Sequence, residues 1–359
     1  MSFGVRAMLM RGGTSKGLYF LADELPADVK QRDSFLREAM GSPDDRQIDG
    51  VGGAHPLTSK VAIVSASPDY EAHVDYLFLQ VMVDRAVVTD AQNCGNILSG
   101  IGPFAIERGL VQVDQHASSV DVRIRMLNTG GIAVARVQVA NGQPVYNGTT
   151  RIAGVPGSGS EIRVDFDGTS GSSCGALLPT GSVVDLVEGI EVTMIDNGMP
   201  VVVIRASDVG VTGYEAPSEL EGNASLREIV ERIRLTAGPL MNLGDVTNLT
   251  VPKMTLVAAP REGGTLCTRT FIPHRCHDAI GVLGAVSVAT AALLSGSPAA
   301  SVCAAIDGPI VVEHPTGTFD AAIEVSHKPD GSFVMERAGI IRTARKLMDG
   351  QVFSREQYA

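Results

Sequence analysis

The chain has 359 residues, which at ~150 residues per domain points to two or three domains, and its 44% hydrophobic content excludes a disordered chain. Forty Asp and Glu against 29 Lys and Arg give a net charge of −11, which excludes a general nucleic-acid or anionic-membrane surface but not a small anionic ligand held by local cations and amides. Five widely spaced cysteines, with no Cys-x-x-Cys, exclude a disulfide scaffold and a thiolate zinc site and make a reducing cytoplasm the expected setting.

The first thirteen residues lack the apolar stretch and cleavage site of a signal peptide. From there, period-2 apolar patterning between Gly, Pro, Asn and Asp predicts strands over 5–10, 61–65, 76–83, 120–126, 162–166, 192–195, 201–204, 254–258 and 310–312, with a last strand over 333–342 returning to the first domain. An amphipathic helix is predicted over 33–40, stopping at Gly41, and another over 226–237, stopping at Gly238-Pro239. Ser225 and Glu228 stand at capping-box spacing for the second of these. Two further helices, 95–108 and 277–294, are apolar on most faces and must lie inside other structure. The second is too short for the ~20 residues of a membrane span.

The chain echoes itself. The glycine turn at Arg11 matches one at Asp196, Lys60 matches Lys253, and Cys94 matches Cys276, at offsets of 185, 193 and 182 residues. The economical reading is an α+β protein of two pseudo-symmetric domains, 1–185 and 186–332, each with a curled sheet around a central apolar helix, followed by the returning segment 333–359. A cleft between the two is the natural place for a ligand.

Chemistry gathers at the echoed points. Cys94 stands where a strand meets a helix start, a position that offers unpaired amides and a positive dipole end to a thiol or a carboxylate. Cys276 reads as the matching helix start, so that two facing thiols would suit a two-base proton transfer at carbon. His274, Cys276 and His277 form no metal site, because consecutive side chains diverge and no further ligands are evident. Lys60 leads an apolar strand after Ser59, and burial there would make its amine a base. The glycine-rich run Asp49-Gly50-Val51-Gly52-Gly53 before it suits a loop folded over a ligand. Arg11-Gly12-Gly13-Thr14-Ser15-Lys16-Gly17 lacks the glycine spacing of a phosphate loop and reads as a carboxylate site. Candidate substrate-binding residues are therefore Arg11, Gly12, Gly13, Thr14, Ser15, Ser59, Asn93, Gly95, Asn96, Asn197, Met199, His274 and Arg275.

These segments, with Gln92-Asn93-Cys94-Gly95-Asn96, Ile195-Asp196-Asn197-Gly198-Met199-Pro200 and Pro273-His274-Arg275-Cys276-His277, resemble the PrpF-type isomerase family over nearly the whole chain. The resemblance implies a diaminopimelate-epimerase-like fold and cofactor-free proton transfer on an unsaturated polycarboxylate. It places the family's catalytic lysine and cysteine on Lys60 and Cys94, with Cys276 as a possible second-site catalytic group. Within the family, the surroundings of Cys276 resemble the 4-oxalomesaconate tautomerases of bacterial gallate breakdown. The expected activity is thus keto–enol tautomerisation of 4-oxalomesaconate. No cofactor or metal, no nucleic-acid or membrane partner, a small polycarboxylate substrate and a possible homodimer complete the expectation. The alternatives are a 2-methylaconitate or other allylic isomerase, a two-cysteine amino-acid epimerase or racemase, an accessory protein of an aconitase-like enzyme, and a polycarboxylate-binding module.

Overall fold

A computed structural model describes residues 4–91, 93–327 and 333–355. They form two compact units, 1–164 with 341–359, and 165–340. The first unit runs β1 (Gly4–Gly12), β2 (Ser15–Leu21), α1 (Val29–Met40), β3 (Lys60–Ala66), β4 (Val74–Val81), β5 (Val88–Thr89), α2 (Gly95–Leu98), α3 (Ile101–Glu107), β6 (Ser119–Met126), β7 (Ile132–Ala140) and β8 (Gln143–Pro144). Strand β9 (Ile162–Phe166) spans the junction of the units. The second unit runs β10 (Asp185–Val187), β11 (Ile190–Asp196), β12 (Pro200–Arg205), α4 (Pro217–Gly222), α5 (Ala224–Leu240), β13 (Lys253–Ala258), β14 (Leu266–Ile272), β15 (Arg275–Cys276), α6 (Val282–Leu293), β16 (Ile310–His314), β17 (Gly317–His327) and β18 (Phe333–Arg342). Strand β19 (Ala344–Phe353) closes the chain in the first unit.

The pairing order repeats. β1 and β2 are antiparallel, β2 and β3 parallel, β3 and β4 antiparallel, β4 and β6 parallel, and β6 and β7 antiparallel. β11, β12, β13, β14, β16 and β17 follow the same alternation. Lys60 lies beside Gly17 in the first unit as Lys253 lies beside Val201 in the second.

Each sheet has two covered faces. On one, α1 lays Phe35, Leu36, Ala39 and Met40 against Leu18, Phe20, Val61 and Leu79, and α5 does the same in the second unit through Leu226, Val230, Ile233 and Ala237. On the other, α2 meets β1 and β2 while α3 meets β3, β6, β7 and β8, so the sheet curls round them. Gly102 lets β7 come close, since a Cβ there would lie 2.6 Å from a Val137 methyl. α6 is likewise enclosed by β11, β12, β16 and β17, with every residue from Gly284 to Ala292 buried. An all-round apolar helix has no other stable place.

Four expectations change in detail. The helix expected over 95–108 is two pieces, because Pro103 has no N–H to bond the Ser99 carbonyl and the chain turns at Ser99-Gly100. The helix expected over 226–237 is capped by the Asn223 side chain on the Leu226 amide rather than by Ser225, and it carries its proline to Leu240. The helix expected over 277–294 begins only at Val282, capped by Gly281. Residues 333–342 are a strand, yet they pair with β17, and it is β19 that returns, antiparallel to β1.

The return is clasped to α3. Arg108, whose side chain is 3% exposed, bonds both oxygens of Asp349 at 2.9 Å, and next to it Glu107 accepts the Tyr146 hydroxyl and pairs with Lys346. Arg108 holds the Asp349 carboxyl below the usual carboxylate range. Asp349→Asn is therefore expected to cost about 1–3 kcal/mol at neutral pH, since it leaves a buried guanidinium half paired. A depressed carboxylate stabilises above its ordinary value of ~3.9 and loses that contribution as pH falls through its folded value. Thermal melts of the two proteins should thus differ at pH 7 and converge in acid.

Candidate active site

Lys60 opens β3 between β2 and β4 and is only 6% exposed. Glycine at position 17 is needed beside it, because a Cβ there would lie 2.4 Å from the Lys60 carbonyl oxygen. Its Nζ donates to Cys94 Sγ at 3.5 Å and sits 5.0 Å from the centre of the Phe78 ring. Among the described residues no carboxylate pairs with this amine.

Cys94, 9% exposed, is the N-cap of α2, with extended backbone. Asn93 fixes that backbone by accepting the Cys94 amide at 2.8 Å, and its own Nδ2 lies 2.7 Å from Met126 Sδ. The Cys94 carbonyl accepts from Leu98 N at 3.0 Å and from the Tyr76 hydroxyl at 3.5 Å. Burial, and after it the Cys94 sulfur, push the Tyr76 phenol well up, and the same two causes act on Tyr19, so both remain donors. One turn of helix carries little macrodipole, so the electrostatic benefit expected of a long helix here shrinks to local N–H groups. Those of Gly95, Asn96 and Ile97 have no intrahelical acceptor. Gln92, part of the same motif, lies outside the described residues.

The β1–β2 hairpin packs on this turn. A Cβ at Gly12 would lie 2.5 Å from the Asn96 carbonyl oxygen, and one at Gly13, whose φ is +52°, would lie 2.2 Å from Asn96 Oδ1. Asn96 Nδ2 donates to Thr14 Oγ1 at 3.0 Å, and its Oδ1 accepts from Arg342 Nε at 3.1 Å. Ser15 Oγ is buried with no hydrogen-bond partner. Arg11 is less available than a carboxylate fork should be, since its Nη1 donates to the carbonyls of Gly13 and Thr343 at 2.8 and 2.9 Å. The Gly13 amide is also spent, on Thr343. Thus Lys60, Cys94, Gly95, Asn96, Gly12, Gly13, Thr14 and Ser15 belong to one unit, and Ser59 joins them as a buried neighbour bonded to Val81 O and Gln47. The glycine-rich loop expected to fold over a ligand folds instead over the Gln47 side chain, where a Cβ at Gly52 would lie 2.1 Å from Oε1.

The second-unit candidates have other surroundings. Asn197 is fully buried and spends its side chain on Thr169 and Thr290 and its amide on Ser287, so it ties the β11–β12 hairpin to α6, as Asn96 ties the first hairpin to α2. Met199 contributes its carbonyl to the Ser287 hydroxyl. His274 and Arg275 are exposed and lie near Glu231 and Glu221 at 3.8 and 3.7 Å. Cys276 is in β15, which takes the place of β5, and it precedes the helix cap Gly281 as Thr89 precedes Cys94, by five residues. The expected match of Cys94 with Cys276 at equivalent helix starts is therefore wrong: Gly281 holds the equivalent place in the second unit. Cys276 lines a surface cavity of ≈ 390 Å³ with Glu221, His277 and Asp278. Burial pushes its thiol up to about 11. It should be protonated and slow to alkylate at pH 7, with mass-mapped iodoacetamide labelling rising toward pH 11, and Cys276→Ser should leave turnover unchanged.

Tyr76, Phe78, Gln47, Gln80 and Arg342 were not legible as site residues. Gln80 stands directly opposite Lys60 across β3–β4, which a known register would have exposed, whereas nothing local marks Arg342, 246 residues from Asn96. Among the described residues no cluster of three or more His, Cys, Asp or Glu is placed to hold a metal ion, and no helix is long and apolar enough to cross a membrane.

Known proteins resemble this chain over nearly its whole length. The "(4E)-oxalomesaconate Delta-isomerase" of Novosphingobium sp. (strain KA1) is 59% identical over 349 residues, covering 96% of both chains. The "4-oxalomesaconate tautomerase" of Pseudomonas putida is 57% identical over 351 residues, covering 97% of this chain and 95% of that one. A solved methylitaconate-Δ-isomerase superposes with a TM-score of 0.85 at 33% identity, over 98% of this chain and 96% of the other. Fold and relatives define the class: the chain is an enzyme, an isomerase. It belongs to the PrpF protein family, which matches residues 3–355.

Proposed function

We propose that this isomerase moves a proton on 4-oxalomesaconate by keto–enol tautomerisation, with Lys60 and Cys94 as its proton-transfer pair. The observation that carries the reading is the 3.5 Å contact between the buried Lys60 Nζ and Cys94 Sγ, with no carboxylate among the described residues paired with the amine. The relatives at 59% and 57% identity supply the substrate class.

In the reaction a C–H bond beside a carbonyl breaks, its electron pair forms the new C=C bond, the carbonyl π pair moves onto oxygen, and the oxygen takes a proton. The reverse reaction retraces these steps. One member of the pair takes the proton from carbon and the other returns one, so the two exchange a proton between turnovers. Charge that develops on the enolate oxygen and the substrate carboxylates meets the N–H groups of Gly95, Asn96 and Ile97, with the hydroxyls of Thr14 and Ser15 alongside. The setting we propose is the cytoplasm, in the breakdown of gallate-type aromatic acids, with the enzyme as a homodimer.

A second reading is favoured by the name of the Novosphingobium relative, a Δ-isomerase. There the abstracted proton returns at the far end of the conjugated C=C. One experiment separates the two: incubation in D2O with 4-oxalomesaconate, 2-methylaconitate and 3-methylitaconate in parallel, followed by NMR. Tautomerisation labels only the carbon next to the carbonyl of 4-oxalomesaconate. An allylic shift labels the distal carbon, and labelling of another acid alone would reject the substrate.

A further inference from the structure

We infer that Gln47 is a positioning residue for Lys60, an inference that rests on the proposed role of that amine. Gln47 is 1% exposed and adopts a left-handed backbone, φ +46°, that glutamine seldom takes. Its amide group is fully used by three separate segments. Nε2 donates to Ser42 Oγ at 3.0 Å, just past the end of α1, and to Ser59 Oγ at 2.8 Å, while Oε1 accepts the Ala54 amide at 3.0 Å. The loop between is strapped to α1 by Val51 N to Ala39 O at 2.9 Å and Gly52 N to Met40 O at 3.2 Å.

Ser59 passes this constraint on. Its hydroxyl donates to Val81 O at 2.8 Å, and its carbonyl accepts from Gln80 Nε2 at 2.8 Å. The residue before Lys60 is therefore gripped at its side chain by Gln47 and at its carbonyl by Gln80, which faces Lys60 across the ladder. Lys60 follows Ser59 directly, so a shift of Ser59 is carried to the backbone from which Nζ reaches Cys94. A buried amide with three partners is a rigid link, and an apolar replacement removes all three of its hydrogen bonds, the one inside the core to the Ser59 hydroxyl included. The surface loop before Lys60 is thus mechanically joined to the proton-transfer pair through one side chain.

The test compares Gln47→Leu, Gln47→Glu, Ser59→Ala and the Gln47→Leu/Ser59→Ala double variant, with Lys60→Ala alongside. Circular dichroism and melting curves confirm folding, and Ser59→Ala serves if Gln47→Leu does not fold. Gln47→Leu should lower kcat by up to about 10²-fold with KM little changed, because misplacement affects the chemical step. The primary isotope effect on kcat with substrate deuterated at the reacting carbon should grow, Gln47→Glu, whose carboxylate cannot donate to the Ser42 and Ser59 hydroxyls, should be no better than Gln47→Leu, and the double variant should be no worse than the worse single one. Unchanged kcat, a rise in KM alone, or additive losses overturn the inference. If Lys60→Ala itself keeps full activity, the reading of the site fails instead. If Lys60→Ala is dead while folded Gln47 and Ser59 variants are normal, only the present inference fails.

Discussion

Lys60→Ala should lower turnover of 4-oxalomesaconate by roughly 10²- to 10⁴-fold, the range spanned by loss of a positioned acid or base. That corresponds to about 3–5 kcal/mol of transition-state stabilisation. The fold should survive, since the lysine backbone, rather than its amine, makes the ladder contacts with Gly17 and Gln80. Loss of the amine removes the one hydrogen-bond partner that Cys94 Sγ has among the described residues. Steady-state kinetics on the folded variant check the size of the effect, and a loss below tenfold would show that Lys60 is a bystander.

Cys94→Ala should be equally severe, and Cys94→Ser nearly so. The alanine variant leaves Lys60 Nζ, among the described residues, with the Phe78 ring face, which accepts no proton. The serine variant keeps a hydroxyl at the helix cap but replaces a polarizable thiol with a far weaker acid. A stoichiometric alkylation experiment gives the complementary result. Inactivation should track modification of Cys94 while Cys276, held protonated with its thiol up at about 11, and Cys174, pushed up to about 12 by burial and by Asp196, stay unlabelled at neutral pH. Inactivation that follows Cys276 instead would reverse the assignment.

How much of this was readable without coordinates follows from what each feature encodes. The buried helices were legible because a helix lacking a polar face announces its own enclosure, and strands such as β6 and β9 because period-2 burial is written along them. The internal repeat was legible at Lys60 and Lys253, since both open a strand parallel to the second arm of the hairpin. It misled at cysteine. Residue type matched Cys94 to Cys276, whereas strand pairing matches Cys94 to Gly281, and only the β14–β15 ladder reveals the difference. Arg11 misled in another way: an arginine in a glycine turn reads as an anion fork, but Thr343, brought in by the returning chain end, claims one arm of it. Gln47 escaped notice because an uncharged side chain between Arg46 and Ile48 carries no signal until three partners converge on it.

The most direct trial of the proton relay uses D2O, the natural acid and proton NMR, with wild-type, Lys60→Ala and Cys94→Ala enzymes matched for secondary structure. Deuterium should enter the carbon beside the carbonyl with wild-type protein and remain absent with either variant. Label appearing at the wild-type rate in one of them would show that its missing group never handles the hydrogen.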